Sequence, residues 1–462
     1  GLQFVGQLKE YCANCSLAGL SYISNNRLHP MERIFWLLCV IISAIAVYYL
    51  ISEYERDFAS RAVSIVYESI SPFTKMKFPT VAICEVNTKN ELGEDVEAYV
   101  TSLGKGIREE YNFDVEAHIS FILFPSQYTH GTIKARCLRY EDCDNCAKCP
   151  KTGYRKLVET FGANCTEIFE QCWLAGKEFD CCQYFLPLYT PYGTCFMLNS
   201  LQNNHPGSQH WMSLELDRSQ KPELQVVTSR SIQVSLLNEE DIPNTALKGI
   251  SLVIQEGQDR ALHFHSELMA NDVDVRDIPI EARNCRFPDE TLPWSLYHAY
   301  SFSTCISDCT RIFQEEVCKC NSYLLNPYAD ARFVDCGLAG YSCLEASSMI
   351  IPDVKKVMRF NSSRLQCSCL PSCAEGDIRT VYESVLRFNP KGQEANITLV
   401  MPVWPTDQYR RQVLRSRLDG VVSIGGILGL FLGASILSGI EFIYYFTLRA
   451  ANTALMARRA QQ

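Results

Sequence analysis

The stretch GILGLFLGASILSGIEFIYYF, Gly426 to Phe446, is apolar enough to cross a bilayer, yet it carries four glycines, two serines and one glutamate. Lipid gains nothing from a glycine, and a carboxylate at mid-membrane depth costs roughly 2.5–3.5 kcal/mol or more. Gly425, Gly429 and Gly433 recur every four residues and share one helix face, the pattern that lets helices approach closely. Taken alone, that pattern describes an oligomerisation seam. Ser435, Ser438 and Glu441 follow it with polar groups that should face protein or water. The whole run, Val421 to Phe446, is 26 residues. It would measure roughly 39 Å if straight, so it must tilt, break or protrude. Its length fits a helix broken at Gly433-Ala434-Ser435, where freed carbonyls could replace part of a cation's hydration shell. Glu441 then has two readings, a hydrated carboxylate at the membrane boundary or a charge that attracts cations into a vestibule.

A second apolar run, IFWLLCVIISAIAVYYLI (Ile34 to Ile51), has 18 residues and no charge. At ~1.5 Å per residue it spans roughly 27 Å, close to a bilayer core. About 33 residues precede it and no small-residue cleavage site follows, so a permanent span is expected rather than a signal peptide. Two spans put both termini on one side. Lysine and arginine do not decide which, because Arg410, Arg411, Arg415 and Arg417 precede the second span while Arg449, Arg458 and Arg459 follow it. Cysteine does. Of 23, only Cys12, Cys15 and Cys39 lie in the tail or first span, and the other 20 fall in the loop, enough for ten disulfides in an oxidising space. The sequons at Asn164, Asn361 and Asn396 lie in the same loop. The loop is therefore expected outside the cell, with both termini cytosolic.

Within the loop, SIQVSLL (Ser231 to Leu237) alternates apolar and polar residues as a half-buried strand does. FPTVAIC, GISLVIQE, TVYESVL and NITLVMPVW also read as strands, and those near the two spans suggest a central sheet joined to both. One cysteine-rich region holds Cys137, Cys143, Cys146, Cys149, Cys165, Cys172, Cys181, Cys182 and Cys195. Another holds Cys285, Cys305, Cys309, Cys318, Cys320, Cys336, Cys343, Cys367, Cys369 and Cys373. Cys305 and Cys309 sit one helical turn apart, and the paired spacings suggest two helices stapled side by side. With Cys84, these are the disulfide candidates, their connectivity open. C-x2-C-x2-C before Pro150 resembles a cluster-binding run, but outside the cell disulfides are favoured. His263 and His265 read as a strand face rather than a zinc site, and Glu239-Glu240 as solvated surface. No metal site is expected. A net charge of −9 gives no sign of a nucleic-acid partner.

In combination these segments resemble a subunit of the degenerin/epithelial sodium channel superfamily, most like its arthropod pickpocket branch. FPTVAIC with Glu85-Val86-Asn87 resembles the family's F-P-x-V-x-x-C-x-x-N, CISDCTRIFQEEVCKC and CSCLPSC resemble its thumb cysteines, and GLFLGASILSGIE resembles its G-x-S filter segment. RNCRFPDE and EFIYYFTLR point to the pickpocket branch. The resemblance covers nearly the whole chain in the family's order. It implies an α+β membrane protein: a cytosolic segment 1–33, a transmembrane helix 34–52, a disulfide-rich extracellular domain 53–418, a second transmembrane helix 419–447 and a cytosolic segment 448–462. The extracellular domain would comprise a palm strand 78–90, a finger-like region 91–225, a helical thumb 285–375 and return strands 376–418. Two positions depart from the family's pattern. Ala18 stands where a histidine is common, before the retained Gly19, and the small gating residue above the filter aligns near Asp419 or Gly420.

The expected function is a trimeric plasma-membrane channel, sodium-selective, amiloride-sensitive and gated through its extracellular domain. Gly433, Ala434 and Ser435 would form the filter, Ser438 and Glu441 would lie below it, and Gly425 and Gly429 would pack the helices. Partners would be copies of itself or related subunits, and membrane lipid; Na⁺ is the permeant ion and no cofactor is needed. The alternative is a non-conducting or auxiliary cell-surface subunit that works only with siblings. ATP-gated trimeric channels share two spans and a cysteine-rich loop, but no cluster of basic residues for a nucleotide stands out. An enzyme is not expected, since no catalytic constellation stands out. The activating stimulus has no motif, and eight histidines do not single out acid sensing.

Overall fold

The computed structural model describes residues 2–60, 63–71, 75–87, 94–103, 109–127, 133, 137, 148–244, 249–359, 367–389, 392–414 and 417–452. Cys143, Cys146 and Asn361 lie outside these. The chain divides into two compact units: Gly1–Ile65, Asp272–Arg283 and Arg411–Gln462 form one, and Val66–Asn271 with Asn284–Arg410 the other.

In the larger unit, the β-branched run Thr80–Glu85 forms the middle strand of a five-stranded sheet ordered Ile250–Ile254, Ile232–Leu237, Thr80–Glu85, Gly193–Leu198, Phe185–Thr190. Its register sets Cys84 directly opposite Cys195, and a disulfide closes the pair. An eight-stranded sheet runs Val63–Ser69, Asp407–Val413, Gln258–Asn271, Ala395–Val400, Glu223–Thr228, Phe169–Leu174, Lys177–Phe179, with Asp377–Phe388 also paired to Gln258–Asn271. Val81, Ile83 and Val234 of the first sheet share one apolar core with Val226, Phe264 and Leu399 of the second.

The alternation at Ser231–Leu237 predicts one solvated face, and the structure differs. Ile232 to Leu236 are all buried, because Ala82, Leu188 and Met197, on the sheet's far side, pack against Ile242 and Tyr297. Gln233 tolerates this by donating to the Ser251 hydroxyl.

A second core gathers Ile119, Ile122, Tyr154, Ile306, Tyr323 and Leu344 around the helix Phe302–Cys318. That helix starts at Ser301, whose hydroxyl accepts from the Thr304 N–H, and stops at Lys319 in the left-handed region (φ 57°). The expected pair of stapled helices exists at one end only. Cys318 bonds Cys343 in the helix Leu338–Ala346. At the other end Cys305 and Cys309 bond Cys369 and Cys367, which lie in non-helical chain. The spacings explain the match. Four helical residues rise about 6 Å and two extended residues about 6.6 Å, so C-x3-C on a helix faces C-x-C on a strand-like segment.

In the smaller unit, Pro30–Ser60 is one continuous helix, and within it Pro30–Arg56 is long and apolar enough to cross a membrane. The C-terminal apolar run is two helices, Leu418–Leu432 and Ile436–Asn452, bent by 71° at the intervening residues.

Candidate functional site

The bend falls on the residues that the glycine and serine pattern singles out. The outer helix, Arg417–Leu432, ends at Gly433, whose φ of +65° is left-handed and whose N–H donates to the Gly429 carbonyl at 3.0 Å. Ala434 N–H reaches back to the Leu428 carbonyl at 3.2 Å. The inner helix, Ile436–Tyr444, starts from Ser435, whose hydroxyl accepts from the Ser438 N–H while the Ser438 hydroxyl accepts from the Ser435 N–H. One helix stop and one helix start thus stand back to back. Among the described residues, no hydrogen bond is made to the Gly433 and Ala434 carbonyls.

The N-terminal segment lies against this break. Ala18 N–H donates to the Leu432 carbonyl at 2.9 Å. The Ser16 N–H donates to Glu441 Oε2 at 3.1 Å, and the Ser16 and Ser438 hydroxyls are 2.7 Å apart. Ser438 is buried accordingly. A Cβ on Gly433 would stand 3.3 Å from the Ala18 methyl, so the small residue at position 18 is what fits there. Gly19 turns the chain with φ +87°, and a Cβ there would press within 2.8 Å of Val40. Sequence reasoning paired none of Ser16, Ala18 and Leu432, since these contacts join residues over 400 positions apart. Farther out, Asp419 lies in the first turn of the outer helix, and a Cβ on Gly420 would meet the Tyr54 hydroxyl at 3.5 Å. Around Gly425 a Cβ would meet nothing within 4 Å, and at Gly429 only the Ala434 carbonyl at 3.7 Å. Among the described residues, nothing fills the face at Gly425 and Gly429.

The sequence profile described as "Amiloride-sensitive sodium channel" matches residues 11–445, which takes in the N-terminal contact, both sheets and the break. The chain belongs to that family. Its members are ion channels and not enzymes, and they need no cofactor. Sodium channel protein Nach of Drosophila melanogaster is 23% identical over 96% of this chain and 88% of its own length. Pickpocket protein 28 of the same fly is 22% identical over 95% of this chain and 78% of its own. Acid-sensing ion channel 4 of Mus musculus is 21% identical over the same shares, 95% and 78%. The amiloride-sensitive channel family accounts for the membrane location and for the disulfide-rich, sheet-rich domain.

Nine disulfides join described cysteines of that domain: Cys84–Cys195, Cys137–Cys149, Cys165–Cys182, Cys172–Cys181, Cys285–Cys373, Cys305–Cys369, Cys309–Cys367, Cys318–Cys343 and Cys320–Cys336. Cys149 of the C-x2-C-x2-C run is thereby committed to Cys137. The described groupings with metal-ligand spacing, one around His118 and one around Cys305, both draw on these bonded sulfurs, which offer no thiolate. His263 stacks on Tyr382 with ring centroids 3.9 Å apart, as a strand-face residue. Of the two sequons described, Asn164 precedes the short helix Cys165–Ile168 and Asn396 lies within a strand.

The acidic pair Glu239-Glu240 is a correction. Glu239 pairs with Lys77 at 2.5 Å. Glu240 is only 4% exposed and accepts from the Ser372 hydroxyl at 2.6 Å. Burial, and then the neighbouring Asp241, push its carboxyl up to about 7. Asp241, also pushed up by burial, accepts from the Ser303 hydroxyl and lines a cavity of about 230 Å³ together with Glu375 and Asp377. Residues 239–241 follow directly on the inner strand Ile232–Leu237, which draws them inside. With its acidity weakened in the fold, Glu240 contributes stability fully present below pH ~4.5 and lost as pH rises through 7. Glu240→Gln is expected to flatten the fall in apparent Tm between pH 5 and 8, a dependence worth on the order of 3 kcal/mol. A mutant with the parent's pH profile would contradict this.

Proposed function

We propose that the chain is a pore-forming subunit of a trimeric, sodium-selective, amiloride-sensitive cation channel of the plasma membrane. Its two apolar segments cross the bilayer, both termini are cytosolic, and the disulfide-rich domain lies outside and controls gating. The observation that carries this reading is the break at Gly433-Ala434-Ser435. Irregular backbone at membrane depth is tolerated where it is buried in protein or lines water, and the Gly433 and Ala434 carbonyls have no partner among the described residues. Three copies, packed through the glycine face of Gly425 and Gly429, would bring these oxygens around one axis as ion ligands. Relatives named as sodium channels support Na⁺ as the permeant ion.

The test is bi-ionic recording from the full chain, expressed alone and with related subunits, with and without amiloride. Ser435→Leu removes the hydroxyl that caps the inner helix and adds bulk at the constriction. It is expected to erase most of the Na⁺-over-K⁺ preference while surface trimer, read by cross-linking, persists. An unchanged reversal potential in mixed Na⁺ and K⁺ would reject the filter.

A further inference from the structure

Two free cysteines lie directly before the residues that hold the break. Cys12 sits in the last turn of the helix Leu2–Asn14, and Cys15 follows its end, with Cys15 N–H donating to the Tyr11 carbonyl at 2.8 Å. That bond keeps the two cysteines in helical register, with Cα atoms roughly 5 Å apart, inside the ~4.4–6.8 Å a disulfide spans. Cys15 Sγ already points at the Cys12 carbonyl, 3.8 Å away. The helix is not free to drift. Tyr11, 5% exposed, is packed by the rings of Phe442, Tyr445 and Phe446, and Glu10 pairs with Arg449. From Cys15 the next residue is Ser16, bonded to Glu441 and Ser438, and two further on is Ala18, bonded to Leu432.

We infer that Cys12 and Cys15 are a dithiol modification site that a peroxide or a glutathione-type disulfide closes into a Cys12–Cys15 bond, locking the segment that holds the break. With a peroxide, the two thiols give up two protons and two electrons, the O–O bond breaks, one S–S bond forms and two waters leave. With a small disulfide, one thiolate attacks a sulfur and releases one small thiol. The second cysteine then displaces the other. Burial pushes the Cys12 thiol up, with Cys15 beside it adding to the effect. With its thiolate disfavoured, Cys12 attacks a peroxide or a disulfide slowly, so the site closes slowly. Closure fixes the turn at Cys15 and removes the freedom that Ser16 and Ala18 need to release Glu441 and Leu432, so current falls.

The inference rests on the channel reading only for its effect on current, and the experiment separates the two. Full-length protein in membranes is treated with hydrogen peroxide or glutathione disulfide, alkylated and digested with trypsin without reduction. The peptide Glu10–Arg27 contains both thiols and no other cysteine. It is expected to appear unalkylated and two hydrogens lighter, and to take up two alkyl groups after dithiothreitol. In inside-out patches the same treatment is expected to lower current several-fold, reversibly with dithiothreitol, and Cys12→Ser and Cys15→Ser should each abolish the response. A peptide that stays doubly alkylated overturns the site. A bonded peptide with unchanged current overturns the coupling. Absence of current from every variant would count against the channel reading, and the peptide mass would still decide the dithiol.

Discussion

Gly433→Val is expected to abolish sodium current with the subunit still at the cell surface. A left-handed backbone costs a residue with a Cβ roughly 1–2 kcal/mol, and a β-branched one more. The new Cβ would also meet the Ala18 methyl at 3.3 Å and the Ala18 nitrogen at 3.5 Å. Both penalties act on one joint. To escape them the chain must continue the outer helix or push the N-terminal segment away, and either outcome breaks the Ala18–Leu432 bond and moves the Gly433 and Ala434 carbonyls. Gly433→Ala carries the same backbone strain with less bulk and should retain partial current. Gly425→Ala is the contrasting control. Apart from its own helix, a Cβ there meets no described atom within 4 Å, so the subunit itself should tolerate the methyl and a loss of current would point to a contact outside it. Surface biotinylation alongside whole-cell recording distinguishes the outcomes. Parent-like current from Gly433→Val would remove the break from the ion pathway.

Residue chemistry announces its own position in the chain, and this is why the break was legible. A glycine suits a left-handed helix stop and a serine suits a helix N-cap, so Gly433 and Ser435 two residues apart mark a stop beside a start, and a glutamate after an apolar run is conspicuous without a partner. The cysteine ladder of the helix Phe302–Cys318 was readable on one side for the same reason, since C-x3-C is a helical spacing. Its partner was misjudged because C-x-C carries no mark that says extended chain until its span is compared with that of a helical turn. Glu240 was misread for a different cause. Two adjacent carboxylates look solvated, and nothing in the pair shows that buried chain flanks it, Leu236 before and Ile242 after. Ala18 stood out only as a departure from the family's pattern, and nothing in the residues paired it or Ser16 with the break. A backbone N–H bonded to residue 432 or 441 has no sequence signature, because every residue but proline carries one.

Removing the Cys84–Cys195 disulfide as Cys84→Ala with Cys195→Ala is expected to be the most destabilising single-bridge change. The bond joins residues 111 apart, whereas Cys172–Cys181 joins residues 9 apart. On the chain-entropy account the long loop contributes about 5 kcal/mol and the short one about 2.6 kcal/mol. Bridges nested inside the long loop shorten it, but the dependence is logarithmic, so the ordering survives. Position adds to the difference. Cys84 and Cys195 are 1% and 0% exposed, on neighbouring strands of the five-stranded sheet, so the missing sulfurs leave a buried void on the sheet face that Ala82 and Met197 share. Cys172→Ala with Cys181→Ala should therefore mature and reach the surface in larger amounts than the Cys84/Cys195 pair. Protease resistance and apparent Tm of the detergent-solubilised full chain read the ranking directly. If the short bridge proves the costlier one to remove, loop closure is not what these disulfides supply, and local packing around Cys172 must hold the domain instead.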